Sequence, residues 1–198
     1  MGELLRSMVD STIKIDRRGP DSSGEIDLHV PAFDRMFKVS VQIEERGSTI
    51  TDTTFLTLND IANLTQEGID RIRRLLYDDA MRAKRENAFG DPNPPPEQPP
   101  ADFLRRLFWQ PKQYRFVALD PDDIRHPCYF PNGIDSVGEK IEWLEFRIDE
   151  TQEVKHRFAL LDCRPKWEDE HGVTIVIRDG IPIGIDDYSV DLKKYDDA

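Results

Sequence analysis

The stretch Cys163-Arg164-Pro165-Lys166-Trp167-Glu168-Asp169-Glu170-His171-Gly172 runs into Val173-Thr174-Ile175-Val176-Ile177-Arg178 and stops at Asp179-Gly180. A second apolar run, Ile181 to Ile185, follows directly. An Asp-Gly pair between two such runs signals a β-hairpin, because a tight two-residue turn needs positive φ at its central positions. Just upstream, Phe158 and Leu160 fall on one face of a strand, and Ala159 and Leu161 on the other. A strand apolar on both faces belongs in the middle of a sheet. The linking loop reads as a structural corner. Gly172 is expected at positive φ. Trp167 is expected to pack back over the sheet with its indole N–H on a backbone carbonyl, and His171 to make a structural hydrogen bond.

Further strands appear on working outward. Leu144, Phe146 and Ile148 share one face, and Tyr114 to Leu119 reads as another strand. Near the N-terminus, Ile26, Leu28 and Val30 alternate with Glu25, Asp27 and His29; Phe37, Val39, Val41 and Ile43 alternate with Lys38, Ser40, Gln42 and Glu44. Period-two alternation predicts two strands, each with one wet face. A third strand is expected at 49–56, around Ile50 and Phe55, and a short helical turn at 58–64.

A long helix is predicted over 66–86. Ile69, Ile72, Leu75, Leu76, Ala80 and Ala83 recur every three to four residues and form an apolar stripe. Thr65 is the expected N-cap, and Asp70 with Arg74 an i,i+4 pair. Residues 90–100, Gly-Asp-Pro-Asn-Pro-Pro-Pro-Glu-Gln-Pro-Pro, exclude helix and central strand. They read as an extended, polyproline-like insertion. Residues 102–109 carry Phe103, Leu104, Leu107 and Phe108 at helical spacing. The expected fold is α+β: a mixed or antiparallel sheet packed against a long helix, with the Pro-rich loop at 90–100. Residues 25–198 form one domain on this reading, and 1–24 an N-terminal extension.

Composition narrows the function. The 198 residues are 38% hydrophobic and 33% charged, with a formal net charge of −12. That charge disfavours nucleic acid phosphates and anionic lipid, and favours a basic protein partner or simply solubility. No apolar run is long enough to span a membrane. The first residues lack the layout of a signal peptide, and two cysteines are too few for a disulfide framework. A cytoplasmic protein with reduced Cys128 and Cys163 is expected.

Catalytic patterns are lacking. There is no G-x-S-x-G, P-loop or G-x-G-x-x-G sequence. Cys163 and His171 are eight residues apart, but carboxylates beside a thiol raise its pKa and oppose a thiolate. No Cys-x-x-Cys or His-x-x-x-His spacing offers a zinc site, so no metal and no cofactor is expected. A cation held by Glu168, Asp169 or Glu170 together with Asp186 or Asp187 is conceivable, although acidic runs normally face water.

At Cys163, Trp167, Glu170, His171, Gly172 and Asp179-Gly180 the chain resembles a group of uncharacterised bacterial domains. These share a "Cys-x-x-x-Trp-x-x-Glu-His-Gly, strand, Asp-Gly or Asn-Gly, strand" ending. The resemblance covers residues 113–188 and, more loosely, 25–88. Such domains are often grouped with immunity-type proteins of bacterial toxin systems. The resemblance implies a binding protein that neutralises a basic toxin or another cationic partner, and it assigns no catalytic residues. The expected contact residues are Trp167, Glu168, Asp169, Glu170, His171, Asp186 and Asp187. The alternative is a small metal-dependent hydrolase using the 168–171 loop.

Overall fold

The computed structural model describes residues 22–43, 51–86, 119–168 and 171–197. Among the described residues six strands form one mixed sheet in the order of the chain: β1 (Ser22–Val30), β2 (Arg35–Ile43), β3 (Ile141–Asp149), β4 (Phe158–Pro165), β5 (Val173–Arg178) and β6 (Ile181–Asp186). Every neighbouring pair is antiparallel except β2 with β3, which run parallel. A parallel pair needs a long crossover, and that crossover carries helices α1 (Asp52–Ala62) and α2 (Gln66–Glu86). A short C-terminal helix, α3 (Lys193–Asp196), follows β6.

The alternation read from β1 and β2 is realised. Ile26, Val30, Phe37, Val39 and Val41 are buried, and Glu25, Asp27 and Lys38 exposed. Strand β1 begins at Ser22, three residues before the expected boundary. The connection to β2 is a single 3-10 turn at Pro31–Phe33, closed by Asp34 at φ 50° with its N–H on the Pro31 carbonyl. Asp tolerates that left-handed conformation better than most residues. At the other hairpin Asp179 (φ 48°) and Gly180 (φ 80°) both take positive φ, as the Asp-Gly signal requires.

The expected strand at 49–56 is not formed over its described part, because residues 52–62 are helical. Threonines 53 and 54 with Phe55 give that stretch a strand-like composition. The capping chemistry at Thr51 prevails: its Oγ1 accepts from the Thr54 N–H at 2.9 Å. Thr51 Oγ1 also donates to Glu150 Oε1 at 2.7 Å, which sets a carboxylate from the end of β3 at the positive end of α1. The short turn expected at 58–64 is thus the second half of α1.

Helix α2 spans the predicted residues, and Thr65 Oγ1 accepts from the Gly68 N–H at 3.2 Å as its cap. Ile69, Ile72, Leu76 and Ala80 are buried; Arg71, Arg74 and Arg85 are exposed. The expected Asp70–Arg74 pair is replaced by Asp70–Arg73 at 3.2 Å, one residue closer on the same helix face. Both helices join the main core. Leu58 and Ile61 of α1, and Ile69, Ile72 and Leu76 of α2, cluster with Phe37, Val39, Phe146, Leu161, Ile175 and Ile177 of the sheet.

Strand β4 is buried at Phe158, Ala159, Leu160 and Leu161, as the two-sided pattern requires. The second face has its own small core, in which Phe158, Leu160 and Val176 pack with Val190 and Leu192. The segment after β6 therefore crosses back over the sheet as a strap. It is pinned by Asp196, whose carboxylate accepts from the Lys155 and His156 N–H groups at 2.9 and 3.0 Å. The predicted strand at 114–119, the 102–109 turns, the Pro-rich stretch 90–100 and residues 1–21 lie outside the described residues, apart from Leu119.

Candidate functional site

The Trp167 corner is built from three directions. The Trp167 ring is 3% exposed and meets Phe130 edge-on, with ring centroids 5.8 Å apart. Its indole Nε1 donates to Asp79 Oδ2 of α2 at 2.9 Å. The acceptor is thus a carboxylate from a distant helix and not the backbone carbonyl expected from the sequence. Gly172 sits at φ 72°, and a Cβ placed there would meet the Cys163 carbonyl oxygen at 2.9 Å. The loop returns so closely on β4 that only glycine fits.

His171 is hydrogen-bonded within the turn, as expected from the sequence. Its side chain is 75% exposed, and its Nδ1 lies 4.0 Å from Glu168 Oε1. The His171 N–H donates to Glu168 Oε1 at 3.3 Å. Cys163 lies on the opposite side of events. It is 1% exposed among core residues, and burial, followed by Asp162 and Asp79, pushes its thiol well above the usual range. Burial also pushes Cys128 up to about 11. Both cysteines are free thiols. Neither environment favours a nucleophilic thiolate.

Most of the contact residues expected from the sequence converge. Trp167, Glu168, His171, Asp186 and Asp187 line one cleft of about 670 Å³. Asp169 and Glu170 lie outside the described residues. The sequence reading missed the remaining walls, which come from Asp79, Arg82 and Glu86 of α2 and from Tyr188 and Lys194 of the strap. A signal for the helical wall existed: residues 79, 82, 83 and 86 fall on one stripe of α2 at spacings of three and four. Nothing local in the sequence says that this stripe faces the Trp167 corner.

Among the described residues the cleft is acidic. Asp79, Glu86, Glu168, Asp186 and Asp187 line it against Arg82 and Lys194. Both cations are already engaged: Arg82 Nη2 lies 2.5 Å from Asp79 and Lys194 Nζ 3.0 Å from Asp186. Burial works to raise the Asp186 carboxyl, but hydrogen bonds from Lys194 and Tyr195 outweigh it and hold Asp186 below its ordinary range. Asp186 is therefore a charged structural post, and Asp187 beside it is exposed.

Tyr188 stands on the rim, 50% exposed. It is held from below, where the Arg147 guanidinium lies 4.3 Å from its ring centroid and Arg147 Nη2 donates to its carbonyl at 3.1 Å. Arg147 is itself fixed by the buried Asp162, whose Oδ1 also accepts from Thr174 Oγ1 at 2.6 Å. An exposed aromatic anchored this way is preorganised, so little rotamer freedom is lost when it is covered.

Among the described residues no group of three or more His, Cys, Asp or Glu side chains is placed to hold a metal ion. No described helix is long and apolar enough to cross a membrane.

A family model described as a domain of unknown function (DUF6985) matches residues 112–192. The chain is similar to that uncharacterised family over less than half its length, a span that takes in β3 to β6 and the Trp167 corner. The α2 wall of the cleft lies outside the matched residues. No curated protein matches the chain, and no solved structure matches it.

Proposed function

We propose that this is an acidic protein-binding domain that holds a cationic segment of a partner in the Trp167 cleft. On this reading it is of the immunity type, neutralising a basic toxin or another cationic protein in the bacterial cytoplasm. One observation carries the proposal. Carboxylates from α2, Glu168 and the end of β6 converge on one cleft whose cations among the described residues, Arg82 and Lys194, are already paired. The net charge of −12 supports it, since long-range attraction speeds encounter with a basic protein. The Trp-x-x-Glu-His-Gly ending supports the immunity-type assignment through its resemblance to such domains. Trp167 acts here by fixing the loop from beneath, and Glu168, Asp187, Glu86 and Tyr188 supply the contact surface.

The test is capture of partners from a bacterial lysate at low and high salt, with mass spectrometry of what is retained. A basic protein held at about 0.05 M salt and released near 0.5 M supports the proposal, because exposed charges are then screened beyond a few ångströms. Retention that is independent of salt, or of acidic proteins only, counts against it.

A further inference from the structure

The strap that follows β6 serves two sides. Val190 and Leu192 pack into the second core, and two residues on, Lys194 lines the Trp167 cleft. Its Nζ lies 3.0 Å from Asp186 Oδ2 and 5.2 Å from the centroid of the Tyr195 ring. A carboxylate beside an aromatic face is a seat for an alkylammonium group. The seat is filled, and the ammonium that fills it comes from the protein itself.

The two halves of this pair are held unequally. Asp186 is fixed by more than Lys194: the Tyr195 hydroxyl reaches its Oδ2 at 2.9 Å, and its Oδ1 accepts from the Asp187 N–H at 3.0 Å. Tyr195 is itself well placed. Its ring lies against Gly184 of β6, where an added Cβ would meet its Cε1 at 2.7 Å. Arg178 Nη1 donates to its carbonyl at 2.7 Å. Asp186 therefore keeps its position when Lys194 lets go. Lys194 is the loose half, with a side chain 61% exposed against 21% for Asp186. An exposed pair of this kind adds little to stability, because side-chain entropy and screening offset the attraction. Arg82 is a weaker candidate for exchange, since the side chain of its partner Asp79 is 9% exposed.

We propose that Lys194 is an internal stand-in for the partner's cation. It occupies Asp186 in the free protein and is displaced when a basic residue of the partner enters, so the strap sets the affinity of the cleft from within. The inference rests on the reading of the Trp167 cleft as a cation site. It adds Asp186 to the contact residues and makes Lys194 an autoinhibitory contact.

Binding of an oligolysine peptide to the parent and to a set of variants tests it, at an ionic strength of about 0.15 M to limit long-range effects. Lys194→Gln is expected to bind about five-fold tighter than the parent, the upper worth of an exposed ion pair. Lys194→Arg restores a cation on Asp186 and is expected to lose that gain. Lys193→Gln makes the same change in net charge at an exposed position outside the lining of the cleft. Its expected gain is less than about two-fold, because a charge in solvent is screened. A purely structural Lys194 gives the opposite sign, since its loss would loosen the seat. Binding by Lys194→Gln that is no tighter than by Lys193→Gln overturns the inference. The Glu86→Lys/Glu168→Lys/Asp187→Lys protein separates this failure from that of the cleft. If it loses the peptide while Lys194→Gln gains nothing, the cleft reading stands and Lys194 is not its stand-in. If it binds as the parent does, or if the parent and Lys194→Gln both fail to bind, both readings are overturned.

Discussion

Trp167 Nε1 donates to Asp79 Oδ2 at 2.9 Å across 88 residues of sequence, and this bond ties the exit of α2 to the loop that enters β5. Asp79 is 9% exposed at its side chain and also receives Arg82, so it is fixed from both sides. Trp167→Ala is expected to cost about 3–5 kcal/mol as an aromatic truncation in the core. Asp79→Ala strands a buried indole N–H and is expected to cost about 1–3 kcal/mol. Urea melts of the two variants check both values. A Trp167→Ala protein as stable as the parent would mean that the corner is not a structural element.

Gly172 tests the same corner from the backbone. Gly172→Ala must accommodate φ 72° and a contact of 2.9 Å with the Cys163 carbonyl oxygen. It is expected to lose about 1–3 kcal/mol, the range for a residue held in strained backbone. Gly138, which has no neighbour within 4 Å of an added Cβ and no positive φ, serves as the control. Gly138→Ala should leave the melting temperature nearly unchanged.

The thiols give a chemical check on the core. Cys128 and Cys163 are free and buried, and burial raises both pKa values. A thiol-specific reagent at pH 8 should label neither in the native protein and both after denaturation. Rapid native labelling of Cys163 would place it at the surface and revive a role for it as a nucleophile.

Acid should loosen the strap before the sheet. Hydrogen bonds from the Lys155 N–H, opposed by burial and aided by the His156 N–H, hold Asp196 below its ordinary value of 3.8. A carboxylate with a depressed folded pKa contributes stability above its unfolded pKa, and that contribution is lost as pH falls through the folded value. Protection against exchange at residues 155–156 and 190–196, taken relative to the intrinsic rate at each pH, is therefore expected to fall below about pH 3.8. Asp196→Asn should weaken the same contacts at neutral pH. Strap amides that exchange equally in parent and variant at pH 7 would show that Asp196 does not latch it.

What the sequence made legible was local. The three-to-four spacing of Ile69, Ile72, Leu76 and Ala80 located α2, the Asp179-Gly180 pair located the β5–β6 hairpin, and the unbroken apolar run of β4 located the sheet centre. Each depends on residues within one turn or one strand. The misread stretch at 49–56 needed Glu150, which reaches Thr51 from 99 residues away. The Trp167 acceptor and the α2 wall of the cleft are likewise long-range. The strap was missed because Val190 and Leu192 are isolated apolar residues in a polar tail. Their burial depends on Phe158, Leu160 and Val176 being presented on the second face of the sheet.

The central claim is that the acidic cleft, and not the protein's charge at large, carries the interaction. The most direct measurement compares the affinity of the captured partner for the parent and for a Glu86→Lys/Glu168→Lys/Asp187→Lys protein. A second triple variant, Glu25→Lys/Asp27→Lys/Glu142→Lys, makes the same change in net charge away from the cleft. A thermal melt verifies that both variants remain folded at the temperature of the assay. The account predicts a loss of at least about a hundred-fold for the cleft variant, equivalent to roughly 2.8 kcal/mol, and less than about ten-fold for the control. Equal losses in the two variants, or unchanged affinity in the cleft variant, would contradict it.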